Sequence, residues 1–423
     1  MLCPTRLRTA ALLGLSLAFS LAVFPLLFPY MAGIVITDMA ALAFMKRQDE
    51  NPRARSLCLA FSVVKNLGCI VLVGTIMQES RLAPEALLGL YVVALSAMGC
   101  VLETYRRRIP HEASLAGFAL YCFYFPRLAA GPLASYRELA PALESPDTSP
   151  AEIAKGLGVF IQGAVKFRIL GQSLHVFYGA LRAIPPGDAS VLGAWVTVFV
   201  LILSIYYRFS GCVDMARGIG RMMGIPLPEN FRYPFQRTSV TDFFSRFNCS
   251  LTRYVSDALG SRFAQDAHFA ASAVGLLVLS VGTGFWFGFS AGRLAWGVYL
   301  GLFLIMERHL YPELLEKAPA VLRRVYALIV VFLSFTLFDA ANIGSGLRTA
   351  GQMFGLAGLP LYTDYMRYIF DANRLLFIVS VFFAIGVHGH LFSFLRRRTP
   401  VLYSALAAAI NLLLLVIFTA FSI

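Results

Sequence analysis

Apolar runs long enough to cross a bilayer recur along this chain, separated by short polar joints. Residues 9–46 are almost unbroken apolar sequence apart from Pro25, Pro29 and Asp38, and suit two spans. No small-residue cleavage site follows a short apolar core, so this start reads as an uncleaved membrane segment. Further spans are expected at about 57–76, 86–102, 156–182, 192–210, 269–287, 292–311, 325–340, 375–394 and 400–422. Residues 114–133 differ, because Pro126, Arg127 and Gly131-Pro132 interrupt an apolar run. Helix-breaking residues at membrane depth need protein or a water cavity over the freed backbone groups, which predicts a re-entrant or broken segment. A less apolar, glycine-containing stretch over 341–373 precedes the last two spans.

Composition narrows the class. Hydrophobic residues make up 58% and charged residues 14%, with mean hydropathy +0.71, which excludes a soluble globular protein. The reading is an all-α polytopic membrane protein of about eleven spans, one integral domain over 1–423. Its N-terminal spans and broken segment fall in 9–133, a core in 156–311 and C-terminal spans in 325–423. The formal charge of +13 does not imply nucleic acid, since Lys and Arg sit in short loops between apolar runs. They read as orientation signals and contacts with membrane lipids, which puts loops 47–55, 103–110 and 396–398 in the cytoplasm. The 341–373 stretch and the C-terminus then face outside.

The longest charge-bearing stretch lies between two apolar regions, from Tyr206 to Gly260. It carries Arg208, Asp214, Arg217, Arg221, Glu229, Arg232, Arg237, Asp242, Arg246, Arg253 and Asp257. Phe243, Phe244, Phe247, Leu251, Tyr254 and Val255 interrupt the charges at nearly helical spacing. A cytoplasmic loop with a surface helix accounts for this pattern, and so does an amphipathic element at the cytoplasmic interface.

Within that stretch, FSGCVDMARGIGRMMGIPLPENFRYPF followed by TDFFSRFNCSLTRYVSD resembles the signature region of the membrane-bound O-acyltransferase superfamily. The similarity is to the bacterial branch of alginate O-acetylases and lipoteichoic-acid D-alanyl transferases. It rests on Phe209-Ser210-Gly211, Asp214-Met215-Ala216, Gly218, Gly220-Arg221-Met222, Pro228-Glu229-Asn230-Phe231, Tyr233-Pro234 and Ser250-Leu251. FPRLAAGPL, over residues 125–133, resembles another run of the family. The likeness implies a protein of the bacterial inner membrane that moves an acyl group from a cytoplasmic thioester, acyl-CoA or an acyl carrier, to a hydroxyl of an exported polymer. A periplasmic acyltransferase partner is implied as well. So is a tunnel through the membrane, with a histidine of a Trp-His-Gly run and a second His or Asn at its waist.

The second waist position falls on Asn248, whose amide can polarise a carbonyl or stabilise an oxyanion. At the first, the chain departs from the pattern. Trp286-Phe287-Gly288 and Trp296-Gly297-Val298-Tyr299-Leu300-Gly301 keep the family's frames, but Phe287 and Leu300 stand where the histidines are expected. Phenylalanine cannot accept a proton, and removing a general base typically costs about 10²–10⁴-fold in rate.

The resemblance implies a tunnel lined by Trp286, Trp296 and Tyr299, with Arg127 either a buried cation facing an acyl or carrier group or a solvated interfacial anchor. Asp214, Arg221, Glu229 and Asn230 would hold the segment at the cytoplasmic mouth or form structural pairs. His388 and His390 lie roughly 9–12 Å along the helix from Arg396, as substitute bases or as interfacial residues bonded to carbonyls. His309 is about six turns beyond Phe287 and lies at the far end of its span. The dispersed histidines and cysteines form no metal-ligand spacing, and the seven cysteines read as packing thiols. No cofactor is expected. Two functions remain open at this point: an acyltransferase with an altered site, and a non-catalytic scaffold or acyl conduit that keeps the fold.

Overall fold

The computed structural model describes residues 5–79, 84–109, 114–129, 131–260, 268–386, 389, 395 and 397–420. Among them the architecture is all-α, with one isolated antiparallel bridge between Phe231 and Phe247. The N-terminal half comprises α1 (Thr5–Val23), α2 (Phe28–Arg47), α3 (Pro52–Glu79), α4 (Pro84–Tyr105), α5 (Leu115–Phe123), α6 (Phe125–Leu128) and α7 (Tyr136–Glu144). Next, α8 (Pro150–Val165) runs through a π-helical turn at Lys166–Gly171 into α9 (Gln172–Arg182). The long α10 (Val191–Met222) precedes the short α11 (Val240–Arg246) and α12 (Cys249–Leu259). The chain closes with α13 (Phe269–Trp286), α14 (Ala291–His309), α15 (Pro312–Lys317), α16 (Ala320–Phe338), α17 (Ile343–Met353), α18 (Asp364–Ile385) and α19 (Pro400–Ala420).

Seven helices among the described residues are long and apolar enough to cross a membrane: α2, α3, α4, α10, α13, α16 and α18. The other four of the expected eleven are weaker by that measure. In α1 and α19 the apolar stretch is shorter. Charges interrupt α8–α9 at Lys155, Lys166 and Arg168, and α14 at Arg293, Glu307 and Arg308.

Two sequence expectations are corrected. The interfacial segment expected from 206 starts later, because 206–222 is the second half of α10. Its charges are paired laterally, so the helix continues through them. The span expected at 375 begins at Asp364, where Thr363 caps the helix and Arg367 and Asp371 face each other at 3.7 Å on successive turns.

The signature glycines are packing residues. A Cβ on Gly211 would lie 2.6 Å from the Phe167 nitrogen and 2.7 Å from the Gly163 carbonyl oxygen. One on Gly218 would meet the Phe160 nitrogen and the Gly156 oxygen at 2.6 and 2.7 Å. Only hydrogen fits, and α8 and α10 therefore touch backbone to backbone along this seam.

Charged side chains gather at one end of the bundle. Arg55 bonds Asp49 and donates to the Thr104 and Tyr105 carbonyls, while Arg107 lies 3.6 Å from Asp49. Arg106 donates to the Asp257 and Ala258 carbonyls, and Arg108 pairs with Asp257 at 3.1 Å. Loops 47–55 and 103–108 and the end of α12 thus share one face. At the opposite end of α10, Trp195 donates to the Met353 carbonyl, and Val191 and Leu192 donate to those of Pro360 and Leu361. The 341–363 stretch therefore covers the far end of α10.

Candidate functional site at the seam between two cores

The buried apolar residues form two clusters. One comprises α1–α7 with Trp286, and the other α9–α11, α13, α14, α16 and α18 with Trp296. Phe231, Val255 and Phe287 pack against both. Phe287 therefore sits at the seam between the two cores.

Local sequence puts it there. After α13, the Phe287 and Gly288 amides donate to Gly284 and Phe285, and Gly288 takes φ +117, which turns the chain at once. Ser290 then caps α14 by accepting from the Arg293 amide. The Phe287 ring meets those of Phe209 (5.4 Å), Phe338 (5.3 Å), Phe247 (6.2 Å) and Trp296 (6.3 Å), yet it stays partly exposed. Leu300, the other position where the resemblance implies a histidine, is fully buried in the second core.

Asn248 follows Phe247 directly, and is 1% exposed in a left-handed conformation (φ 64, ψ 53) at the start of α12. Its surroundings hold that shape. Asn230 accepts from the Cys249 amide through its carbonyl and from the Ser250 amide through Oδ1. Arg232 donates its amide to the Arg246 carbonyl, and Ser250 Oγ accepts from the Leu133 amide. With the backbone so fixed, both polar atoms of the Asn248 side chain lack a partner among the described residues. Trp286 Nε1, Trp296 Nε1, Asn230 Nδ2 and Ser210 Oγ are also buried without a partner there. Each belongs to a residue in the Phe287 ring cluster or next in sequence to one. Buried polar atoms left unpaired cost about 1–3 kcal/mol each.

The broken segment closes one side. Gly131 faces the Trp286 ring, with its Cβ position 3.5 Å from Cζ2, and Leu133 is tied to Ser250. Arg127 does not face an opening or solvent. It is 1% exposed, donates to the Pro132 carbonyl (3.2 Å), the Tyr121 carbonyl (3.0 Å) and Ser96 Oγ (2.8 Å), and covers the Tyr121 ring at 4.7 Å. These bonds satisfy backbone freed by the helix break; its burial overturns the reading as a solvated anchor and agrees with the buried cation. Tyr299 also lies apart from the cluster, with its ring on Phe303 at 4.9 Å.

Asp214 and Glu229 share one ion-pair network, and Arg221 belongs to a second. Asp214 takes Lys166 at 2.6 Å and Arg217 at 2.9 Å, and Arg217 and Arg232 reach Glu229 at 3.2 and 3.4 Å. Arg221 binds Glu152 at 2.6 Å, and that bond, with Lys155 beside it, holds the Glu152 carboxyl down at about 2. These pairs tie α8 and the π-helical turn to α10 and the loop that carries Asn230. His309 bonds Ser272 at 3.0 Å near the start of α13, at the other end of that helix from Trp286. His388 and His390 lie outside the described residues.

Next to Asn248 in sequence, Cys249 lines a shallow surface basin of about 290 Å³ together with Arg232, Ser245, Arg246, Thr252 and Arg253. Burial raises the Cys249 thiol, which disfavours it as a nucleophile near neutral pH. Sequence reasoning missed Glu307, buried near the end of α14, which accepts from the Val240 and Thr241 amides and Thr241 Oγ1 and so caps α11. Its signal was an acid in an apolar helix.

The family model described as membrane-bound O-acyltransferase matches residues 46–345. A probable alginate O-acetylase of Azotobacter vinelandii is 26% identical over 303 residues, covering 71% of this chain and 60% of that protein. The peptidoglycan O-acetyltransferase of Helicobacter pylori is 29% identical over 258 residues, 58% of this chain and 47% of that one. The teichoic acid D-alanyltransferase of Bacillus subtilis is 24% identical over 226 residues, 50% of this chain and 56% of that one. The chain thus spans roughly half to three-fifths of the length of these curated relatives.

Proposed function

Because this chain belongs to the membrane-bound O-acyltransferase family, we propose that it serves acyl transfer to a hydroxyl of an envelope polymer through a site altered at Phe287. The relatives named for alginate, peptidoglycan and teichoic acid support an exported polymer as acceptor. The observation that carries the reading is the buried, unpartnered amide of Asn248 beside the Phe287 ring cluster. An amide fixed by its backbone costs no reorganisation when it polarises an acyl carbonyl or receives the developing oxyanion.

The donor in this account is a cytoplasmic thioester. The three arginines around the basin at Cys249 suit the phosphates of coenzyme A or of a carrier's phosphopantetheine arm. Arg232→Ala and Arg253→Ala should therefore raise the KM for acyl-CoA about tenfold each, with kcat little changed, in transfer assays on reconstituted protein. Unchanged KM in both variants argues that the donor enters elsewhere.

Sidedness follows from the same reading. The face carrying loops 47–55 and 103–108 and α12 is placed in the cytoplasm, and 341–363 outside, in the bacterial inner membrane. In intact cells, a cysteine introduced at Arg107 or Arg253 should resist an impermeant maleimide and one at Leu356 should react. The reverse pattern inverts the model.

A second reading is favoured by one feature. At Phe287 a phenyl ring packed on four aromatic neighbours can block proton transfer as well as fail to perform it. The chain would then be an acyl conduit or scaffold, with chemistry completed by a periplasmic partner.

A further inference from the structure

Away from the seam, a cleft of about 710 Å³ opens between α10, α16 and α18, floored by Phe235 before α11. All three flanking helices are candidate spans, so the walls stand at hydrocarbon depth. Phe199, Leu203, Leu328, Phe332 and Val381 make them apolar. Polarity is confined to one end, at Gln236, Arg237, Thr238, Asp242 and Arg324. Arg324 is in the second turn of α16 and Phe332 two turns deeper, so polar end and apolar wall are about 12 Å apart along that helix.

Charge at the mouth is unbalanced. Asp242 is bonded by Arg246 at 2.8 Å and lies 3.9 Å from Arg237, which also donates to the Tyr233 carbonyl. Arg324 is exposed and has no ion pair or hydrogen bond among the described residues. Of the groups lining the cleft, two guanidiniums, Arg237 and Arg324, thus stand against one carboxylate that Arg246 already engages. Burial and the adjacent Arg246 push Arg237 below its usual range, against the opposing pull of Asp242.

We propose that this cleft holds an anionic phospholipid, one acyl chain against Phe332 and Leu328 and the phosphate between Arg237 and Arg324. A basic pocket at the headgroup end of adjoining spans, continued by an apolar groove, complements such a lipid at both ends. A zwitterionic lipid would bring its own cation to the same arginines. The position also bears on the seam. Phe235, on the floor, meets Phe243 at 5.8 Å, Phe243 stacks on Phe247 at 5.5 Å, and Phe247 reaches Phe287. A lipid in the cleft therefore presses on the segment that positions Asn248.

The test reconstitutes the full chain in nanodiscs of equal parts phosphatidylglycerol and phosphatidylcholine, then counts retained lipids by native mass spectrometry. Wild type should retain one phosphatidylglycerol in preference to phosphatidylcholine. Removing both arginines (Arg237→Ala with Arg324→Ala) should lower that preference about thirtyfold, two arginine–lipid attractions. Leu328→Trp, which fills the groove, should abolish retention with the charges intact. Arg324 is exposed and unpaired, so Arg324→Gln gives a reading even if changes at Arg237 unfold the chain. Equal retention of the two lipids by wild type, or undiminished phosphatidylglycerol in Arg324→Gln and Leu328→Trp, overturns the proposal. So does palmitoyl-CoA displacing the lipid at equal concentration, which would make the cleft a donor port.

Discussion

Phe287→His should raise acyl transfer by about 10²–10⁴-fold, the range a positioned general base contributes. Position 287 lies on the seam, partly exposed, one residue from Trp286 and in contact with the segment ending at Asn248. An imidazole fits within the outline of the phenyl ring, and its aromatic neighbours hold it edge-on as they hold phenylalanine. The gain should carry a pH signature. A base works when unprotonated, so the variant's rate should climb through an ordinary histidine pKa of about 6.5 and level off above it. Wild type should lack that step. A variant that folds, binds donor and transfers no faster would show that position 287 is not where the base belongs.

Arg127→Leu should destabilise the protein by roughly 3–5 kcal/mol. The leucine leaves the Pro132 and Tyr121 carbonyls and Ser96 buried without their donor, at about 1–3 kcal/mol each. Arg127→Lys should recover part of the loss, since one ammonium cannot span three acceptors around the broken segment. Thermal unfolding in detergent checks both, and the order wild type, lysine, leucine is expected. If Arg127→Leu unfolds with wild-type stability but loses donor affinity, the guanidinium serves a ligand instead of the backbone.

Much of this fold was legible because hydropathy runs report spans directly. The failures share one cause. Charges inside α10 and at the start of α18 looked like the ends of spans, but their partners sit on the next helix or the next turn: Asp214 with Lys166, Arg221 with Glu152, Arg367 with Asp371. Composition along the chain cannot show a lateral ion pair. The site divided in the same way. The resemblance pointed to Asn248, Trp286, Phe287 and Trp296, which lie at the seam, and put Asn230 at the cytoplasmic mouth, whereas it bonds the Cys249 and Ser250 amides beside Asn248. Phe209 and Phe247 stood in the signature and the amphipathic run without being singled out for the site, and Phe338 carried no signal, because in a chain with 36 phenylalanines one more is ordinary. Arg127 binds the backbone of the broken segment and Tyr299 meets Phe303, contacts that residue type alone does not report.

The account turns on a transfer site that keeps its polarising amide and lacks its base. One assay tests it most directly: initial rates of acyl transfer from acyl-CoA for wild type, Asn248→Ala, Phe287→His, His388→Ala and His390→Ala, with the double variant Phe287→His, Asn248→Ala, reconstituted side by side. The expected result is a slow wild type, a faster Phe287→His, little effect of either histidine change, and loss of about 10²–10³-fold when Asn248→Ala is placed on the Phe287→His background. A fast wild type abolished by His388→Ala or His390→Ala would move the base to that histidine, and a fast wild type indifferent to all four changes would contradict the site itself.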